Sequence, residues 1–319
     1  MSLLIRKPGI LSTVQDLGRT GGRSFGINPT GVMDRSAARI VNTLLGNDGS
    51  TGLIEMHFPA AEIEFDSPTV FAIGGGDLKA ELDGDPVSIW GTALAGKGSI
   101  LKFRTKAGGT RAYFGVSNGF ALEDWLGSSS TNLTAGIGGF AGRAFKAGDV
   151  IVCTSTDEYF PLTAGQSVVP LYHRFPTLRV IAGPEFGLLT ATSEQEFRKQ
   201  GFSLTNDCNR MGFRLHGKPL HLLHRREMVS AGVNFGTIQL LPDGQLIVLM
   251  ADHQTSGGYP RIANVISADL PILAQCGPGD GVSFRVVGAD EAERLAMRFE
   301  RELNFLRVGC RLQRQNAKR

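Results

Sequence analysis

Asp252-His253-Gln254-Thr255-Ser256-Gly257-Gly258-Tyr259 concentrates more chemistry than any other stretch of this 319-residue chain. It brings together a carboxylate, an imidazole, an amide, two hydroxyls and a phenol, with almost no apolar content. Two glycines allow close backbone approach to a bound group. A polar cluster of this kind at the end of an apolar run is either a surface loop or a site.

Three other stretches have comparable potential. Gln15-Asp16-Leu17-Gly18-Arg19 holds an amide, a carboxylate and a guanidinium, whose planar fork suits a carboxylate or phosphate. The alternative is an Asp16–Arg19 pair that only fixes the loop. Leu126–Asn132, with Ser128, Ser129, Ser130 and Thr131, leads into the glycine-rich run Gly136–Arg143. Hydroxyls and free N–H groups beside Arg143 suit an anion-binding nest or a plain loop. In Asn209-Arg210-Met211-Gly212-Phe213-Arg214 the two arginines either share one anion or brace backbone carbonyls.

Other chemistries lack their signatures. There is no G-x-x-x-x-G-K-[ST] loop and no Met-Lys dipeptide for biotin attachment. Gly74-Gly75-Gly76-Asp77 follows a strand without the order of a dinucleotide motif. His216, His221 and His224 have a spacing that suits neither one helix face nor one strand face, so no metal site is expected. Cys153, Cys208, Cys276 and Cys310 stand far apart, as in a reduced cytoplasmic protein. The net charge of +3 is scattered, which argues against nucleic acid, and no run approaches the ~20 apolar residues of a membrane span.

The elements that must carry these loops are mostly strands. Glycine is about twice its usual share of roughly 7%, with 42 residues, and 14 prolines accompany it. Thr237–Leu241 and Gln245–Met250 predict a hairpin around Pro242-Asp243-Gly244. A small residue and glycine recur ahead of alternating strands at 95–98, 147–149 and 277–280, suggesting equivalent hairpins in two related β domains. Helices are expected at Asp34–Leu45, capped by Asp34 and ended by Gly46, at Ser193–Phe197 with a Ser193–Glu196 capping box, and at Asp290–Leu306. Asp157–Arg174 reads as a linker. The expected division is an N-terminal β-barrel domain over 1–170, a second over 171–309, and a disordered basic tail over 310–319.

IQLLPDGQLIVLMADHQTSGGYP, TVQDLGRTGGRSFGINPTGVMD, the Gly127-Ser128-Ser129-Ser130-Thr131 run and the N-R-M-G-x-R-L segment together resemble the biotin-dependent carboxyltransferase family often called allophanate hydrolase subunit 2-like. The matches span nearly the whole chain. Ser129 stands where many relatives carry a basic residue, and Ser117-Asn118 where many have Gly-Gly. The resemblance implies a mainly β protein of two cyclophilin-like β barrels with a few short helices. It implies membership of an ATP-dependent 5-oxoprolinase complex that opens 5-oxo-L-proline to L-glutamate. Its partners there would be the A-type subunit and an allophanate hydrolase subunit 1-like chain (the B-type subunit), with ATP bound with or by those partners. Two alternatives remain: a carboxyltransferase that moves carboxyl from carboxybiotin to urea or a related amide, and a regulatory module that antagonises a kinase inhibitor.

Under that resemblance Asp16 and Asp252 are the candidate catalytic carboxylates. The candidate substrate-binding residues are Gln15, Arg19, Ser128, Ser130, Thr131, Arg143, Asn209, Arg210, Arg214, Gln239, Gln254, Thr255 and Tyr259. The loops Gln15–Arg19, Ser128–Arg143 and Asp252–Tyr259 are expected to converge on one cleft, and Asp252→Asn is expected to leave folding intact.

Overall fold

The computed structural model describes residues 1–154, 158–224 and 228–317. Asp157, where the expected linker begins, and Lys318 and Arg319 lie outside the described residues. Among the described residues the fold is mainly β with four α-helices. It divides into two compact units, neither continuous in sequence: Met1–Arg19, Thr30–Leu171 and Phe299–Arg319 form the first, and Thr20–Pro29 with Tyr172–Arg298 the second.

The first unit is built from two sheets around one core. Six strands run in the spatial order Val150–Val152, Ser2–Lys7, Glu62–Phe65, Ile100–Phe103, Ala80–Leu82, Asp85–Pro86. Five run Ser12–Gln15, Leu53–His57, Gly108–Val116, Thr69–Asp77, Gly91–Ala95. Their shared core includes Phe65, Phe71 and Phe114, with ring centroids 5.4 to 6.3 Å apart. Helix α1, Arg35–Leu45, starts where Asp34 Oδ1 accepts the Ala37 N–H at 2.8 Å and ends at Gly46 in the left-handed region. Its stripe Ala37, Ile40, Val41, Leu44 and Leu45 is buried, and removing that apolar surface from water holds α1 to the unit.

The triple glycine does not follow a strand but lies inside one, Thr69–Asp77. A Cβ on Gly74 would come within 2.8 Å of Val41 and 2.7 Å of Trp90, and one on Gly115 within 3.0 Å of Leu45. Glycine therefore lets α1 lie close on the sheet. The expected linker also behaves differently. Leu162, Ala164 and Val168 are buried, and the Thr92 N–H donates to Leu162 O at 2.9 Å, so this segment packs along Gly91–Ala95.

The second unit holds a closed seven-stranded barrel, in order Thr177–Ala182, Arg261–Val265, Thr237–Leu240, Leu246–Leu249, Gly212–His216, Phe202–Cys208, Gly281–Val286. All pairs are antiparallel except the closing one, Thr177–Ala182 with Gly281–Val286. The Pro242-Asp243-Gly244 turn joins the predicted hairpin, with Gly244 at φ 81. Helix α2 runs Ala191–Lys199, and its cap is Thr190, not Ser193. Ser193 instead lies inside the helix and takes the His221 N–H. The Phe197 ring of α2 stacks on Phe284, centroids 5.0 Å apart. Helix α3, Leu270–Ala274, is a single short turn.

Helix α4, Ala289–Ala317, corrects the expectation of a disordered tail: it is helical through Ala317. Leu303 is buried, buried Cys310 continues the apolar seam past Leu306, and the Arg314 guanidinium donates to Leu44 O.

The recurring corners share one geometry. Gly98, Gly148 and Gly279 all have φ between 82 and 89, and Ser99, Asp149 and Asp280 donate N–H to the carbonyls of Gly96, Lys146 and Gly277. A positive φ at the third residue of such a turn selects glycine. None of the three is a hairpin: the first passes from one sheet to the other, the second opens a strand that pairs with Ser2–Lys7, and the third follows the helix Leu270–Ala274. In the last two, the aspartate also caps its own turn and pairs with an arginine: Asp149 with Arg143 and Asp280 with Arg174.

The Asp149 carboxyl sits below its ordinary range because it accepts both hydrogen bonds of the Arg143 fork. A depressed folded-state value stabilises above the unfolded pKa of about 3.9 and is lost as pH falls through the folded value. The melting-temperature deficit of Arg143→Ala should therefore be full above about pH 4 and shrink as pH falls below it. A deficit that stays constant to about pH 2 would rule out this linkage.

Candidate functional site

In the first unit, two loops more than a hundred residues apart in sequence meet around Asp16. Asp16 Oδ1 accepts from Gly18 N at 2.7 Å, Ser128 Oγ at 2.7 Å and Ser130 Oγ at 2.5 Å. Its Oδ2 accepts from Ser129 N at 2.7 Å and Ser129 Oγ at 3.3 Å. Burying a carboxylate is costly unless its lone pairs are used, and here the serine run uses them. The serine-rich composition of Ser128–Ser130 is thus a set of donors for one buried charge.

Arg19 does not pair with Asp16. It donates to Thr30 Oγ1 at 2.6 Å and Ser130 O at 2.6 Å, and its guanidinium lies 5.0 Å from the Trp125 ring centroid. Gln15 donates to Thr131 O at 3.1 Å, while its buried Oε1 has no hydrogen-bond partner among the described residues. Thr131 is tied twice to Val14 O. The polypeptide leaves this knot after Arg19 and returns at Val32, whose N–H meets Asp16 O at 2.8 Å.

The knot is closed. Asp16, Arg19, Ser128, Ser130 and Thr131 are all buried. The glycine run fits tightly over it: a Cβ on Gly138, at φ 70, would fall 2.3 Å from Ser130 O. Gly138→Ala should lower stability by about 2 kcal/mol, from the left-handed backbone alone, and the clash adds to that. Urea denaturation measures it; an unchanged midpoint would mean the run has room to spare. Arg143 stands apart from the knot, half-exposed, forked onto Asp149 and stacked on Phe140.

The third loop, Asp252–Tyr259, belongs to the second unit. There Asp252 forms a two-point ion pair with Arg210: Nε to Oδ2 is 2.8 Å and Nη2 to Oδ1 2.9 Å, both side chains being buried. The Asp252 N–H also reaches Arg210 O at 2.7 Å. Asn28, in the Thr20–Pro29 segment of this unit, donates to Asp252 O at 3.0 Å, and Arg23 donates to Asn234 Oδ1 and to Val233 O. His253 is buried, with Nδ1 2.5 Å from Gln254 O.

Beyond this anchored base the loop opens. Ser256–Gly257 pairs with Ala231–Gly232 in a two-stranded ladder. Gln254, Thr255 and Tyr259 are at least partly exposed, and their side-chain polar groups make no hydrogen bond among the described residues. Gln239 lies fully buried beneath Gly257, its Oε1 without a hydrogen-bond partner among the described residues. The remaining candidates diverge. Asn209 Oδ1 caps the N–H groups of Met211 and Gly212. Arg214 is exposed on its strand, and its guanidinium makes no hydrogen bond or ion pair among the described residues. The Asp252 pair draws Arg210 inward, while Arg214 stands exposed.

Sequence patterns single out neither Asn28 nor Arg23, although both lie in a quoted motif. They also miss Glu185, which grips Arg261 at 2.9 and 3.1 Å beside a hollow of about 330 Å³ bounded by Tyr259 and Met228. That grip holds the Glu185 carboxyl below its usual range. No local pattern marks Glu185, since its partner is 76 residues away.

Known proteins resemble the chain along nearly its whole length. The family described as "Carboxyltransferase domain, subdomain A and B" matches residues 25–286. A Haemophilus influenzae protein named as the C subunit of 5-oxoprolinase is 37% identical over 296 residues, covering 93% of this chain and 94% of its own. The Escherichia coli K12 protein of the same name is 35% identical over 316 residues, covering 98% and 100%. The crystal structure of the K. lactis urea amidolyase superposes with a TM-score of 0.90 at 25% identity, over 96% of this chain but only 20% of that one. The chain belongs to the carboxyltransferase domain family, subdomains A and B.

Proposed function

We propose that this chain is the C-type component of an ATP-dependent 5-oxoprolinase, opening 5-oxo-L-proline to L-glutamate in a complex with the A-type and B-type subunits. The observation that carries the reading is the end-to-end match with two free-standing relatives of that name. A lactam resists water because its amide is resonance-stabilised, and phosphorylation of the lactam oxygen makes the carbon electrophilic. Such a site needs hydrogen-bond donors for the substrate, a cation and a carboxylate. In the second unit Gln254, Thr255 and Tyr259 supply the uncommitted polar groups, and Asp252, fixed in direction by Arg210, is the carboxylate. Arg214 is the only one of the four candidate arginines with an uncommitted guanidinium among the described residues. Asp16 acts as a positioning residue for the serine loop. ATP is bound with or by the partner subunits, since the sequence has no phosphate loop.

The test is reconstitution with both partner subunits. ADP and glutamate should form only when 5-oxo-L-proline and all three chains are present, and this chain alone should release none. The likeness to urea amidolyase supports a second reading, in which the chain transfers carboxyl from carboxybiotin to urea. Carboxylation of urea by the same complex, with no glutamate from 5-oxo-L-proline, would replace the first reading. In either case the intact mass should match the sequence, with no biotinyl group.

A further inference from the structure

A furrow on the first unit has the composition of an anion site. It encloses about 630 Å³, within the range of small-molecule pockets. Arg307, Arg311 and Arg314 line it, spaced so that one face of α4 presents all three. From Leu303 to Ala317 that helix carries no acidic residue. Three guanidiniums face one lining carboxylate, Glu158.

The fold uses this charge only in part, with Arg307 within electrostatic reach of the Asp48 and Glu300 carboxylates. The C-terminus of α1 is already served by the Gly46 N–H, which reaches Asn42 O and Thr43 O. Arg314 adds a bond to Leu44 O and lies against Gly46, where a Cβ would sit 3.0 Å from its Cζ. Arg307 donates to Asn304 Oδ1 at 2.8 Å. Arg311 has no side-chain hydrogen bond or ion pair among the described residues. The other wall offers the Phe160 ring and the apolar Leu45 and Val70.

We propose that this furrow binds a phosphate-bearing small molecule, with Arg307 and Arg311 gripping the phosphate and Phe160 covering a flat group attached to it. Guanidinium forks match phosphate oxygens two at a time, and a concave wall favours a small ligand over a flat protein face. Binding here is independent of the reaction proposed above.

Calorimetric titration of the full chain at low salt tests it, with pyrophosphate, ADP and adenosine as probes. Pyrophosphate and ADP should bind and adenosine should not, and affinity should fall as salt rises. Arg311→Ala and Arg307→Ala should each weaken binding by about tenfold, the loss of one charge-assisted hydrogen bond, with unchanged melting temperature. Lys199→Ala, an exposed cation on the other unit, should leave the binding of both probes unchanged. Tighter binding of ADP than of pyrophosphate supports the site as proposed, whereas equal binding supports the phosphate grip and overturns the role of Phe160. Absence of pyrophosphate and ADP binding overturns it, as does binding that survives both furrow substitutions. Capture of a poly-glutamate peptide without pyrophosphate binding overturns it in favour of an acidic protein partner.

Discussion

Asp16→Ala should destabilise the first unit by about 3 kcal/mol or more, because hydrogen bonds to a charged group contribute roughly 1.5–3 kcal/mol each and buried donors left unpaired add their desolvation penalty. Five hydrogen bonds converge on this carboxylate, from Gly18 and the three serines. Removing it leaves those donors facing one another in a site closed to water. Ser130 Oγ also takes the Asp16 N–H at 2.9 Å, and Arg19 holds Ser130 O, so the disturbance spreads to both sides of the knot. Chemical denaturation reads the loss directly. Asp16→Asn should recover part of it, since an amide keeps one acceptor oxygen. A variant as stable as the parent would show that the serine loop does not depend on this charge. Activity of a reconstituted complex should fall in proportion to the folded fraction if Asp16 only positions the loop.

The second large effect is at Asp252. From the sequence alone, Asp252→Asn is expected to leave folding intact. The Arg210 pair changes that: neutralising one partner of a buried two-point pair typically costs about 3–5 kcal/mol, because the other charge stays buried and loses its paired counter-charge. Stability and catalysis must therefore be separated. Replacing both partners by apolar residues, Arg210→Met with Asp252→Leu, should restore most of the stability, since such pairs are often exchanged at little net cost. If Asp252 handles protons, turnover by the assembled complex should remain down on the order of 10²–10⁴ in the restored double variant. Recovery of turnover together with stability would make the pair purely architectural.

Much of the scaffold was legible in the sequence because its causes are local. Asp34 and Gly46 bounded α1, Pro242-Asp243-Gly244 turned the hairpin, and three glycines marked equivalent corners, each through backbone preferences acting within a few residues. The residues of the two polar centres were also legible as types: a carboxylate beside an arginine, a run of serines, a cluster after a strand. What each one does was not, because the deciding partners are distant. Asp16 meets its serines across more than a hundred positions and Asp252 meets Arg210 across forty-two. The same holds for the glycines of Gly74–Gly76, which lie inside a strand where Gly74 admits the approach of α1. Sequence by itself determined which groups are present and where the chain bends. Tertiary structure decided which charges are consumed by the fold, as at Asp16, Arg19 and Arg210, and which polar groups are left over, as at Arg214, Gln254 and Arg311. The reason is that burial forces a charged group to find partners, and only the folded chain fixes which partners lie within reach.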